Sequence, residues 1–168
     1  MEVVEGVATV EDVEAFVASL QDVSETHDLA VQAFDARYVV DRTHLERAVT
    51  LANRAFERGD AIADDRAVEI LCYAAGRRQI DRAMTMGVAS GEAPVAVVVD
   101  GGPDDHADRE AAAAAAIADL LDPASTLDAF DEDSVREFFD VSEAELAAAG
   151  GDLAGIVHER VALLVVNR

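Results

Sequence analysis

The 168-residue chain sets 35 carboxylates against 13 basic residues, a formal charge of −22, yet 51% of it is hydrophobic. That balance excludes an acidic disordered tail and suits one domain, residues 1–168, with a real core. No apolar run reaches the roughly 18–20 residues of a membrane-spanning helix, the start Met1-Glu2-Val3-Val4-Glu5 lacks a basic signal region, and the lone Cys72 supports neither an intrachain disulfide nor a cysteine zinc site, so the expected setting is cytoplasmic.

Residues 3–10 read as a first strand, interrupted by Gly6. Val13, Phe16, Val17 and Leu20 then recur at helical spacing over 10–20. Residues 28–34 form a short apolar strand. Thr43-His44-Leu45-Glu46 has the pattern of a capping box, and Leu45, Ala48, Val49, Ala52 and Phe56 give the buried stripe of the helix it opens, which Gly59 stops. Asp64 or Asp65 caps the next helix, with Val68, Leu71, Cys72 and Ala75 as its apolar stripe. Gly76 interrupts it, and a second piece carries Ile80, Ala83 and Met84 before Gly87. Residues 95–100 are wholly apolar up to Asp100, which predicts a central strand. Gly101-Gly102-Pro103 turns the chain into an exposed helix over 104–122, rich in alanine and acid. Residues 134–139 and 153–159 are helical, Ser142-Glu143-Ala144-Glu145 is a second capping box stopped at Gly150-Gly151, and 161–166 reads as a closing strand. The order β-α-β-α-α-β-α-α-α-β predicts an α/β (α+β) domain, a small mixed, largely antiparallel sheet covered by several helices.

The cations are all arginine, lysine is absent, and Ala and Val supply most of the apolar mass. The composition fits a halophile: at about 1 M salt the Debye length is about 3 Å, so surface carboxylates scarcely repel and their hydration keeps the chain soluble. An acidic mimic of nucleic acid is the alternative. Nine of the thirteen arginines fall within 37–82 with eight carboxylates, a net +1, while the rest of the chain sums to −23. Either an anionic partner meets that segment or its arginines pair along helix surfaces.

Familiar catalytic patterns are missing: there is no phosphate-binding loop, no paired histidines at metal spacing and no nucleophile elbow. His44 reads as structural, and Cys72, on an apolar stripe, as a buried inert thiol. No catalytic residue, metal or cofactor is expected.

The stretch 66–83 carries the most information. Val68-Glu69-Ile70-Leu71, Tyr73-Ala74, Gly76, Arg77-Arg78 and Gln79-Ile80 closely resemble the signature of the kinase-binding accessory subunit of the KEOPS complex, the TPRKB-type family. His44-Leu45 with Ala55-Phe56, residues 138–146 and the ending Glu159-Arg160-Val161-Ala162-Leu163-Leu164 resemble flanking blocks of that family. Cys72 and Ala75 depart from the aliphatic residue and the serine common there. The resemblance implies a non-enzymatic subunit that binds and stimulates a small atypical kinase/ATPase. It also implies a grip on the 3′ CCA end of tRNA, in a complex that threonylcarbamoylates adenosine 37; no membrane or small-molecule substrate is implied.

The residues agree in kind. If the helix runs on to Arg77, then Arg66, Tyr73 and Arg77 share one side. Tyr73 would stack an unpaired base and the arginines would bind phosphate. Arg66, Tyr73, Arg77, Arg78, Gln79 and Arg82 are therefore the expected RNA contact. The bland alternatives are a core Tyr73 and pairing of Arg78 and Arg82 with Asp81. Leu51, Ile62, Met84 and Met86 are surplus apolar residues that a kinase could cover, or core. Two rivals remain: an acidic adaptor for a basic protein, and a small hydrolase near Asp100, Asp104, Asp105 and His106.

Overall fold

The computed structural model describes residues 1–166, and its organising element is the strand β3, Gly91–Asp100. Side chains alternate across a strand, and here both faces are covered. Val95, Val97 and Val99 enter one hydrophobic cluster, Ala96 and Val98 the other. That is why the sequence shows an unbroken apolar run. β1 (Glu2–Val10) pairs with β3 from Glu2↔Val99 to Val10↔Gly91, and β2 (Ala30–Asp35) lies on its other side, from Ala30↔Asp100 to Asp35↔Val95. Pro94 is tolerated because β2 pairs only from Val95 onward.

The fourth strand is not the expected one. β4 is the two-residue Asp122–Pro123, paired with Gly6 and Val7, giving the order β2-β3-β1-β4 with every pairing antiparallel. Gly6 marks this contact, since a Cβ there would lie 2.7 Å from the Asp122 carbonyl oxygen. Residues 161–166, expected as a closing strand, instead finish the helix α8 (Leu153–Leu163) and a following turn. The valines look strand-like in a short window. Traced back, buried Leu153, Ile156, Val157, Val161 and Leu164 recur at helical spacing.

Helices α1 (Val13–His27) and α5 (Ala107–Ala118) cover one face of the sheet. α5 is shorter than expected and not fully exposed, because Glu110, Ala113 and Ile117 form a buried face. The other face carries α2 (Arg42–Arg58), α3 (Arg66–Ala75) and α8, with α6 (Glu132–Phe138) and α7 (Glu143–Ala148) adding Val135 and Leu146. The cap of α2 is Asp41, whose carboxylate accepts from His44 N at 2.8 Å; Thr43, expected to open the capping box, lies inside the helix. Asp65 caps α3, and Ser142 caps α7 by accepting from Glu145 N at 3.0 Å.

Candidate nucleic-acid interface

The helix α3 runs the signature stretch through the core, with only Arg66, Ala67 and Val68 at its start half-buried. Glu69 through Ala75 are all buried. Tyr73 has no exposed surface, so the expectation that its ring stacks a base is corrected: the ring packs within the α2–α3–α8 cluster. Glu69 binds the preceding loop, accepting from Ile62 N at 3.0 Å and Ala63 N at 2.8 Å. The Cys72 thiol is pushed up to about 11, by burial first and then by Glu69, so it stays protonated as expected for an inert core cysteine.

Arg66 also leaves the expected set. Its guanidinium donates to Asp100 Oδ2 at 2.6 Å, to Asn53 Oδ1 at 2.9 Å and to the Asp100 carbonyl, tying the start of α3 to the end of β3. Eleven residues of helix span about 16 Å, so Arg66 and Arg77 sit at opposite ends of α3. Helical register is lost as well, because Gly76 (φ +61°) ends the helix in the left-handed region.

What the structure brings together is the turn after Gly76. Arg77 donates to the Phe138 carbonyl and to Asp140 Oδ2 at 3.3 Å, and its guanidinium lies 5.2 Å from the centroid of the Phe138 ring. Arg78, Gln79 and Arg82 are exposed. On one side of Arg77 a cleft of about 300 Å³ is bounded by Tyr38, Arg82, Thr85, Glu137 and Phe138. Tyr38 and Phe138 are half-buried and meet edge to face at 5.7 Å. On the other side a second cleft of about 240 Å³ holds Arg78, Gln79 and Arg160. Arg160 forks onto Glu145 at 2.7 and 2.8 Å, which raises the guanidinium's affinity for its proton and lowers that of the carboxylate.

Sequence reasoning missed Tyr38, Phe138 and Arg160. Phe138 and Arg160 lay in the resembling C-terminal blocks, but nothing local says that α6 and α8 close around Gly76. His44 holds this assembly. Its Nε2 donates to the Ala74 carbonyl at 2.7 Å, Val40 N donates to its Nδ1 at 3.3 Å, and burial lowers its pKa to about 4.

Along α4 (Ile80–Ala83) and the turn that follows it the surface changes character. Ile80 and Met84, four residues apart, face an apolar groove of about 250 Å³ closed by Val13 and Val17 of α1, the edge strand β2, and Val68 and Leu71. Arg82 and Thr85 face the aromatic cleft. Three of the five exposed large hydrophobic side chains among the described residues, Val17, Ile80 and Met84, line this groove. Of the other expected partner candidates, Met86 is fully buried, while Leu51 and Ile62 pack against the core.

The arginine segment divides. Arg37, Arg58, Arg66 and Arg77 pair with Asp35, Asp60, Asp100 and Asp140, whereas among the described residues Arg42, Arg47, Arg54 and Arg82 have no carboxylate within 4 Å. The loop considered for a hydrolase is engaged otherwise: Asp100 holds Arg66, and His106 Nδ1 contacts Arg109 Nη2. Among the described residues no group of three side chains is placed to hold a metal ion.

An antiparallel sheet under helices on both faces defines an α+β domain, and this one carries an exposed apolar groove. The chain belongs to the family described as kinase binding protein CGI-121, whose sequence model matches residues 7–164. The match spans both clefts and the groove. A search of curated proteins returned no match. No helix among the described residues is long and apolar enough to cross a membrane.

Proposed function

We propose that this chain is a non-catalytic subunit of a KEOPS-type complex, which binds and stimulates the small atypical kinase/ATPase and helps recruit tRNA by its 3′ CCA end for threonylcarbamoylation of adenosine 37. The chemistry then lies in the other subunits. The observation that carries this reading is the two-sided α4: Ile80 and Met84 line an apolar groove while Arg82 borders a cleft with two half-buried aromatic rings. The groove suits the kinase, because apolar contact survives a salty cytoplasm. The cleft suits an unstacked base laid against the half-buried rings of Tyr38 and Phe138, with Arg78, Gln79 and Arg82 reaching phosphates or base edges.

Tyr38 and Phe138 thus take the stacking role first given to Tyr73. Arg77 serves the site by holding Phe138. The composition is read as salt adaptation, which bears on how RNA is held. Phosphate contacts weaken with salt at about −0.7 per neutralised phosphate on single strands, so stacking must carry much of the affinity. The test is a tRNA titration in concentrated KCl. Removing the CCA end should weaken binding more than doubling the salt does; the opposite ranking overturns the reading.

A further inference from the structure

We infer that the outer face of α2 is a rail for the phosphate backbone of a structured RNA, separate from the single-strand cleft. This rests on the tRNA reading above and extends it to a second surface. Counting 100° per residue, Arg47, Arg54 and Arg58 fall within about 40° of one another, opposite the buried Leu45, Ala48, Val49 and Ala52. Arg47 and Arg54 are exposed, and neither has a carboxylate within 4 Å among the described residues.

Helix stability accounts for Arg58, which lies in the last turn and pairs with Asp60, but not for Arg47. The positions three and four residues from Arg47 are Thr43, His44, Thr50 and Leu51, with no acid among them. Arg54 and Arg58 stand four apart, an arrangement in which like charges destabilise a helix. Arg58 is paired with Asp60 at 3.5 Å and Glu57 stands three residues from Arg54, but Arg47 and Arg54 have no carboxylate within 4 Å among the described residues of a chain with 35 of them, so charge complementarity at those two selects a polyanion.

The stripe begins within a turn of His44, whose ring is bonded to Ala74 beside the Gly76 turn, and runs about 16 Å from Arg47 to Arg58. A strand end seated in the cleft would leave its attached duplex within reach of the rail. The rail adds backbone contacts that set the approach of the RNA without reading its sequence.

The test is the double variant Arg47→Gln/Arg54→Gln in the full chain, titrated with whole tRNA and with a short single-stranded oligonucleotide ending in CCA. Oligonucleotide affinity should stay at the wild-type value. At about 0.5 M KCl tRNA affinity should fall at least ~3-fold, and the slope of log affinity against log salt should become shallower by roughly 1.8, about 0.9 for each lost phosphate contact. Unchanged tRNA affinity and slope, with the oligonucleotide still bound, would overturn the rail alone. Equal losses for both RNAs would also overturn it, since the stripe would then not be separate from the cleft. Loss of kinase capture with tRNA binding intact would assign the face to a protein instead. A wild-type chain that bound neither RNA would remove the tRNA reading and the rail together.

Discussion

His44 links the fold to the cleft, and its titration gives a quantitative prediction. The ring is fully buried, donates to the Ala74 carbonyl at 2.7 Å and accepts from Val40 N at 3.3 Å, so the neutral tautomer satisfies both partners. Burial is the largest cause of its lowered pKa, about 4 against an ordinary 6.5. Between those values the unfolded chain binds the extra proton and the folded chain does not. The stabilising contribution is therefore complete above pH 6.5 and declines as the pH falls toward about 4. From about pH 7 to about pH 5 the loss is about 2 kcal/mol, from the linkage relation for one proton. His44→Gln removes the titrating group and should cost about 1–3 kcal/mol at neutral pH, because Val40 N loses its acceptor. Urea unfolding of both proteins in concentrated KCl measures the difference, and comparison with the variant cancels the titration of shared carboxylates. The stability gap should narrow by about 2 kcal/mol on acidification over that range. A gap that stays constant would refute a buried neutral imidazole.

The remaining predictions concern placement. Tyr73→Ala should destabilise the fold by about 3–5 kcal/mol, as for a core aromatic, while Tyr73→Phe should leave tRNA affinity unchanged in a filter-binding assay. Tyr38→Ala and Phe138→Ala should each weaken binding of a CCA-ended oligonucleotide by the equivalent of about 1–3 kcal/mol, with little change for a blunt duplex. Arg66→Ala should lower the denaturation midpoint by leaving buried Asp100 with only the Met1 ammonium, 3.6 Å away, as its cation, at a cost of about 1–3 kcal/mol, yet spare RNA binding in whatever fraction stays folded. Met84→Asp, at a side chain 63% exposed, should abolish kinase capture without moving the melting temperature.

Much of the fold was legible because its signals are local. The unbroken apolar run of β3, the glycine stops at Gly59 and Gly76, and the cap at Ser142 each depend on neighbours in sequence. The closing strand failed because 161–166 offers only valine and leucine, and their helical period emerges only when Leu153 and Ile156 are counted. The cap of α2 lies two residues before Thr43 because the Asp41 carboxylate accepts the amide bond from His44, which leaves the Thr43–Glu46 spacing inside the first turn. The site was legible in part. Arg78, Gln79 and Arg82 are exposed at the turn that the sequence singled out. Tyr73 and Arg66 were drawn in by assuming an unbroken helix to Arg77, which the left-handed Gly76 prevents. Tyr38, Phe138 and Arg160 reach the turn only through tertiary packing, which no spacing rule encodes.

In the proposed function a kinase and an RNA occupy opposite flanks of α4. A three-component assembly assay measures this directly, with the chain, the small kinase and tRNA mixed in concentrated KCl and resolved by size. The wild type should form a complex containing all three. Arg78→Glu/Arg82→Glu should retain the kinase and lose tRNA, and Met84→Asp should retain tRNA and lose the kinase. If either variant loses both partners while remaining folded, or if neither loses any, the two-sided arrangement is contradicted.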